Sequence, residues 1–252
     1  MGKENKKAGI IIIGDEILTG MVKDTNSHFI IEQLRDSGVE TERIVVIRDR
    51  IDEISDCVLE FSNAFDIVFT SGGIGPTHDD VTIEAISKAF GVTTEVNSIL
   101  LEQLHRIIGK KPNDVQMRMA LIPSGAEVIA HDEIGLPLIK FKNIYILPGI
   151  PQCLQRKITY IKKLLKSGQK KYIKRVYVNE YESAIALTLS HITEKVTGIK
   201  IGSYPVLGNS EYKVMVTFSG YNLDDVDRSA DYFIRSLSME KVIRIEDWGR
   251  DE

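Results

Sequence analysis

The chain has 252 residues, 43% apolar and 27% charged, with 32 basic side chains against 36 acidic ones. That length and composition belong to an ordinary globular chain, able to bury one large domain or a main domain with a smaller companion. The net charge of −4 argues against a nucleic-acid or anionic-membrane surface as the main partner.

The chain opens on "MGKENKKAGIIIIG", whose four-residue Ile run is too short for a signal segment. Lys6 stands where a myristoylation signal wants Ser or Thr. No apolar run reaches the length of a membrane span. Cys57 and Cys153 lie far apart with no CxxC spacing, which reads as free core thiols in a reducing compartment. The expected location is the cytoplasm.

Residues 8–14, "AGIIIIG", form a continuous apolar run of the kind a parallel strand covered on both faces requires. The type recurs at 43–48, 66–71 and 143–149. Between these runs lie helical periods. Ile51, Ile54, Val58, Phe61 and Phe65 mark one, and Leu154, Ile158, Ile161 and Leu165 mark another. Phe29, Ile30 and Leu34, then Ile83, Ile86 and Phe90, mark two more. Strands alternating with helices predict a mostly parallel sheet in a three-layer α/β/α domain. Residues 91–140 are less regular, with a helix expected at 97–109 and short strands at 127–130 and 137–141. "KSGQKK" (166–171) is the expected linker, giving domains at 1–168 and 169–252. Beyond it the order is strand 172–178, helix 185–196, strands 199–205 and 212–219, helix 222–237 and strand 241–245. That βαββαβ order predicts a smaller α+β module of ferredoxin-like type.

The chemistry-bearing stretch is "VFTSGGIGPTHDDVTIEAI" (68–86). Gly72, Gly73 and Gly75 follow a strand and precede a helix expected from about residue 81, a position where backbone amides and a helix N-terminus favour an anion. Neither the dinucleotide fingerprint nor a P-loop is present. Asp79 and Asp80 would repel a phosphate. Either one of them caps the helix, or an Asp holds a divalent cation that bridges to phosphate. Thr77 and His78 lie in the same loop and are candidate contacts to the ligand. After the first strand, "GDEILTGMVKDTN" (14–26) supplies Asp15, Glu16 and Asp24, and Asp49 follows the second strand. If these strands are neighbours, the carboxylates crowd one sheet edge, and a cation would relieve their repulsion. Arg118 belongs to a basic stretch that reads as solvated surface. Ser203 and Tyr204 could reach a ligand from the second module or simply end a strand.

"GDEILTG…DTN", "GGIGPTHDDVT.EA" and "LPGIP" together resemble the molybdopterin-binding domain family from residue 8 to about 165. The stretch around the glycine loop is similar to the N-terminal domain of eukaryotic FAD synthases, and CinA-type bacterial proteins share the motifs. "GSYP" (202–205) and the strand after it are similar to the second part of that FAD synthase region. The resemblance implies a three-layer α/β fold and one of three roles. The first is divalent-metal-dependent hydrolysis of FAD or ADP-ribose, releasing AMP, with Mg, Mn or Co as the ion. The second is molybdopterin binding or adenylylation, and the third is a non-catalytic nucleotide-binding regulatory domain. It carries Gly72, Gly73 and Gly75 over as the phosphate cradle and Asp80, Asp49 and Asp24 as catalytic acids. The expected ion ligands are Asp15, Glu16 and Asp80. A homo-oligomer is expected, because family members commonly form one. The domain that makes FAD in the eukaryotic enzyme has no counterpart in these residues, so FAD synthesis is not expected. "HDEIGLP" (131–137) lacks the Asn and "APG" that CinA members tend to show, which leaves the bound base open.

Overall fold

A computed structural model describes residues 5–248 except 36, 166–168 and 210. The chain divides into two compact units, Met1–Gly168 and Gln169–Glu252. The first three residues of the expected linker lie outside the described ones, and 169–171 are irregular.

The first unit runs β1 (Lys6–Ile13), α1 (Asp15–Leu18), α2 (Asn26–Arg35), β2 (Val39–Ile47), α3 (Ile51–Ala64), β3 (Ile67–Ser71), α4 (Thr82–Ala89) and β4 (Thr94–Val96). It continues with α5 (Ser98–Ile108), α6 (Asp114–Met117), β5 (Leu121–Pro123), β6 (Glu127–Ile129), β7 (Leu138–Phe141), β8 (Ile144–Leu147) and α7 (Pro151–Leu164). Its main sheet has the order β2-β1-β3-β8-β7-β6. The first four of these strands pair in parallel, and β7 and β6 add antiparallel to the far edge.

The burial of β1 explains its uninterrupted apolar run. Ile11 and Ile13 face a core built with Ile54, Val58 and Phe61 of α3 and Ala85 and Ile86 of α4. Ala8, Ile10 and Ile12 face the opposite core, with Ile30 and Leu34 of α2 and Leu154, Ile158 and Ile161 of α7. Because side chains alternate along a strand, two covered faces require apolar residues at every position. The sequence therefore read correctly as three layers. It placed the start of β2 four residues late and did not show β4 and β5, which pair as a separate two-stranded sheet.

The second unit runs β9 (Tyr172–Val178), α8 (Glu182–Lys195), β10 (Lys200–Pro205), β11 (Val214–Gly220), α9 (Leu223–Arg235) and β12 (Val242–Trp248). Its sheet has the order β10-β11-β9-β12 and is antiparallel throughout. This is the βαββαβ module, with a core of its own around Val176, Phe218 and Phe233. Among the described residues no helix is long and apolar enough to cross a membrane. Both cysteines are free. Cys57 is half-buried and its thiol is pushed up to about 11, chiefly by burial. Cys153 is exposed, which corrects its expected place in a core.

Candidate ligand cleft

The carboxyl ends of β1, β2 and β3 are neighbours, so the loops that follow them meet at one edge. A cleft of about 640 Å³ opens there in the first unit. Its walls include the turn from Gly72 to Pro76, the carboxylates Glu16, Asp49, Asp79 and Asp80, and the cations Arg118, Arg156 and Lys157. Ile74, Leu100, Ile107, Met119, Ile139 and Ile146 supply much of its apolar surface.

Gly72 has φ +114°, and a side-chain carbon there would stand 2.0 Å from the Ile13 carbonyl oxygen, so the turn admits no other residue. Its N–H donates to the Leu147 carbonyl at 3.1 Å and is not available to a ligand. This corrects the expectation that Gly72 itself holds phosphate. Among the described residues, by contrast, the N–H groups of Gly73, Ile74 and Gly75 meet no protein acceptor. Amides left unpaired beside a cleft are the raw material of an anion site. Gly75 leaves room for Asp80, whose carboxylate would lie 2.6 Å from a side-chain carbon at that position.

Asp80 does not cap α4. Val81 holds the cap position without a side-chain bond, while Asp80 Oδ2 accepts from Thr77 N at 2.7 Å and Thr77 Oγ1 at 2.5 Å. Arg118 braces the same turn, its guanidinium donating to the carbonyls of Thr77 (2.8 Å) and Asp80 (3.1 Å). Arg118 is thus a loop brace, a correction to its reading as solvated surface. Asp24 also has a local use. Its Oδ1 accepts from the N–H groups of Asn26 (2.9 Å) and Ser27 (3.0 Å), and its Oδ2 from Ser27 Oγ, closing the entry to α2.

The structure gathers a different acidic group from the one expected. Asp49 accepts the Asp15 N–H at 2.9 Å, and a side-chain carbon on Gly73 would stand 3.4 Å from Asp49 Oδ1. Burial raises the Asp49 carboxyl above the ordinary Asp value. The Asp15 N–H partly offsets this, and the negative charges of Glu16, Asp15 and Asp79 add to it. Glu16 and Asp49 face the cleft, whereas Asp15 is absent from its walls. Among the described residues no three His, Cys, Asp or Glu side chains come close enough to hold an ion by themselves. Thr77 and His78 also lie outside the cleft wall, and the His78 side chain is 97% exposed. Ser203 and Tyr204 belong to β10 of the second unit, where Tyr204 is 51% exposed and the Ser203 Oγ is buried.

Two contributors were not among the expected site residues, although Asn26 ends the DTN stretch. Asn26, 9% exposed, donates from Nδ2 to Ser71 Oγ (3.0 Å) and the Gly149 carbonyl (2.7 Å), tying α2 to the ends of β3 and β8. Lys157, 4% exposed, sits within the apolar stripe of α7, three residues after Leu154 and four before Ile161. A lysine inside such a stripe was the available signal.

The fold defines an open three-layer α/β domain with a cleft at its strand ends, the place where such sheets commonly bind ligands. Comparison with known proteins then names the kind. The chain belongs to the "Probable molybdopterin binding domain" family, whose model matches residues 9–166, and residues 170–246 match "FAD synthase, middle domain". It is 31% identical over 241 residues to "Probable FAD synthase" of Caenorhabditis briggsae, spanning 85% of this chain but 46% of that protein. A protein of Archaeoglobus fulgidus is 30% identical over 91% of this chain and 97% of its own length. The crystal structure of the protein CinA, of unknown function, from Thermoplasma acidophilum superposes with a TM-score of 0.59 at 28% identity. It covers 65% of this chain and 99% of that one.

Proposed function

We propose that the chain is a divalent-metal-dependent hydrolase of nucleotide phosphoanhydrides, cleaving FAD or ADP-ribose to AMP and a second phosphate ester. The observation that carries this reading is that Glu16, Asp49, Asp79 and Asp80 line one cleft together with a turn whose amides suit a phosphate. Carboxylates and phosphate share a site when a cation lies between them. The residues present fit an ion held jointly with the ligand rather than one caged by protein. Mg²⁺ commonly takes one or two carboxylates and completes its shell with phosphate oxygens and water. Glu16 and Asp49 are the two that would hold it.

A bound divalent ion supplies charge neutralisation and Lewis acidity at phosphorus. The chain's own residues do the rest. The N–H groups of Gly73, Ile74 and Gly75 orient the diphosphate, and Arg118 keeps their turn in place through two carbonyls. Ile74, Leu100, Ile107 and Met119 offer an apolar surface to the base.

The test is a product assay on the full chain with FAD or ADP-ribose, in Mg²⁺, Mn²⁺, Co²⁺ or EDTA, with AMP resolved by chromatography. AMP is expected with metal and absent in EDTA. Asp49→Asn is expected to lower kcat by about a hundredfold or more, the scale of losing one electrostatic group at the reacting phosphate. Folded protein that yields no AMP in any metal would sink the hydrolase. It would favour the second reading, molybdopterin binding, for which the family match over residues 9–166 speaks.

A further inference from the structure

Apart from Arg118, whose guanidinium is engaged by the Thr77 and Asp80 carbonyls, the charges of the cleft are segregated. Glu16, Asp49, Asp79 and Asp80 follow β1, β2 and β3, whereas Arg156 and Lys157 come from α7, after β8. Lys157 is 4% exposed, and its Nζ donates to the carbonyls of Leu136 and, at 2.7 Å, Pro137. An ammonium has three donors, and both of these acceptors are neutral. Among the described residues its charge is therefore buried without a carboxylate partner, an arrangement that is unfavourable until an anion completes it. Burial lowers its pKa to about 8, with Cys153, one turn back on α7, acting in the opposite sense.

The sheet register places this cation relative to the glycine turn. Ser71, just before the turn, pairs with Leu147 on β8. On the other side of β8, Ile139 pairs with Ile146, so Pro137 lies at the same edge where β8 ends. The acceptors of Lys157 and the glycine turn are thus two strand spacings apart, roughly 10 Å. A phosphate on the ribose of an adenine dinucleotide lies within that reach of its diphosphate.

We propose that Lys157 and Arg156 form a second, metal-independent anion site in the cleft. It takes a phosphomonoester borne by the ligand at a distance from the diphosphate. The substrate class narrows accordingly to nucleotide diphosphates that carry an additional ribose phosphate. This rests on the hydrolase reading for the placement of the diphosphate, but its test does not depend on turnover.

The full chain is titrated calorimetrically in EDTA with ADP-ribose and with ADP-ribose 2′-phosphate. The phosphorylated ligand is expected to bind roughly tenfold tighter or more, the size of one charge-assisted hydrogen bond. Lys157→Met is expected to abolish that preference. Arg156→Gln, an exposed position where folding is not at stake, is expected to weaken it. Equal affinities in the unmodified chain, no binding of the phosphorylated ligand, or a preference unchanged in both variants would overturn the site. AMP release in Mg²⁺ is measured on the same preparations. A phosphate preference without AMP release retires the hydrolase and leaves the site standing, and AMP release without a preference does the reverse.

Discussion

Asp49 holds its proton more tightly in the folded chain than in the unfolded one, because burial and three neighbouring carboxylates outweigh the N–H bond from Asp15. The sign of its effect on stability follows. Its contribution is fully present below the ordinary Asp value of 3.8 and is lost as pH rises through the raised folded value. At neutral pH the ionised group is therefore a liability that Asn would remove while still accepting the Asp15 N–H. Asp49→Asn is expected to raise the melting temperature of the first unit at pH 7 by roughly 1–3 °C, and the gain should vanish near pH 3.5. Scanning calorimetry at the two pH values checks this, and an unchanged or lower midpoint at pH 7 would refute it. Added Mg²⁺ should stabilise the unmodified chain more than Asp49→Asn, and more strongly as pH rises, since the ion competes with the proton. At this scale the sequence was partly legible. The acidic loops could be seen to meet at one edge once the strands were placed. Which carboxylates face the cleft was not legible: Asp24 is taken up by Asn26 and Ser27 at the entry to α2, whereas Asp80, although it accepts from Thr77, still lines the cleft.

Elements meet at the cleft through a few polar ties. Asn26 joins the first turn of α2 to Ser71 Oγ and the Gly149 carbonyl. Asn26→Ala would strip a partly buried carbonyl of its partner, which costs roughly 1–3 kcal/mol. A urea titration should show the midpoint falling with little change in slope, and an unchanged midpoint would count against the tie. Arg118 acts on flexibility rather than on overall stability. Its fork spans two carbonyls that a lysine cannot reach in the same bidentate way. Arg118→Lys should therefore speed amide exchange across the turn from Ile74 to Asp80 while moving the melting midpoint by only about a degree. Elements buried on both faces or along one stripe were readable because burial imposes a period. The start of β2 was not, because it is a sheet edge. Val39 to Thr41 pair with Lys6 to Ala8, and Lys7 reaches Glu42 at 3.1 Å, so that end of the strand carries polar residues. The strands β4 and β5 were missed because three residues are too few to show any alternation.

At the scale of the molecule, two units with separate cores share one chain. The second unit closes its own core around Val176, Phe218 and Phe233, and Lys174 pairs there with Asp227 at 2.5 Å. The cleft walls, the glycine turn, Arg118, Asp49 and Lys157 all belong to the first unit. A chain of residues 1–168 expressed alone should therefore melt cooperatively and show the proposed Mg²⁺-dependent release of AMP within a few-fold of the full chain, because it keeps every group to which the proposal assigns a role. Residues 169–252 should fold alone without activity. The comparison is sharpest if the first unit proves folded by circular dichroism but inactive. That outcome would show that turnover needs the second unit as well. If the first unit is active alone, the second is free of the chemistry, and exchanging it for that of the Archaeoglobus protein should leave turnover in place.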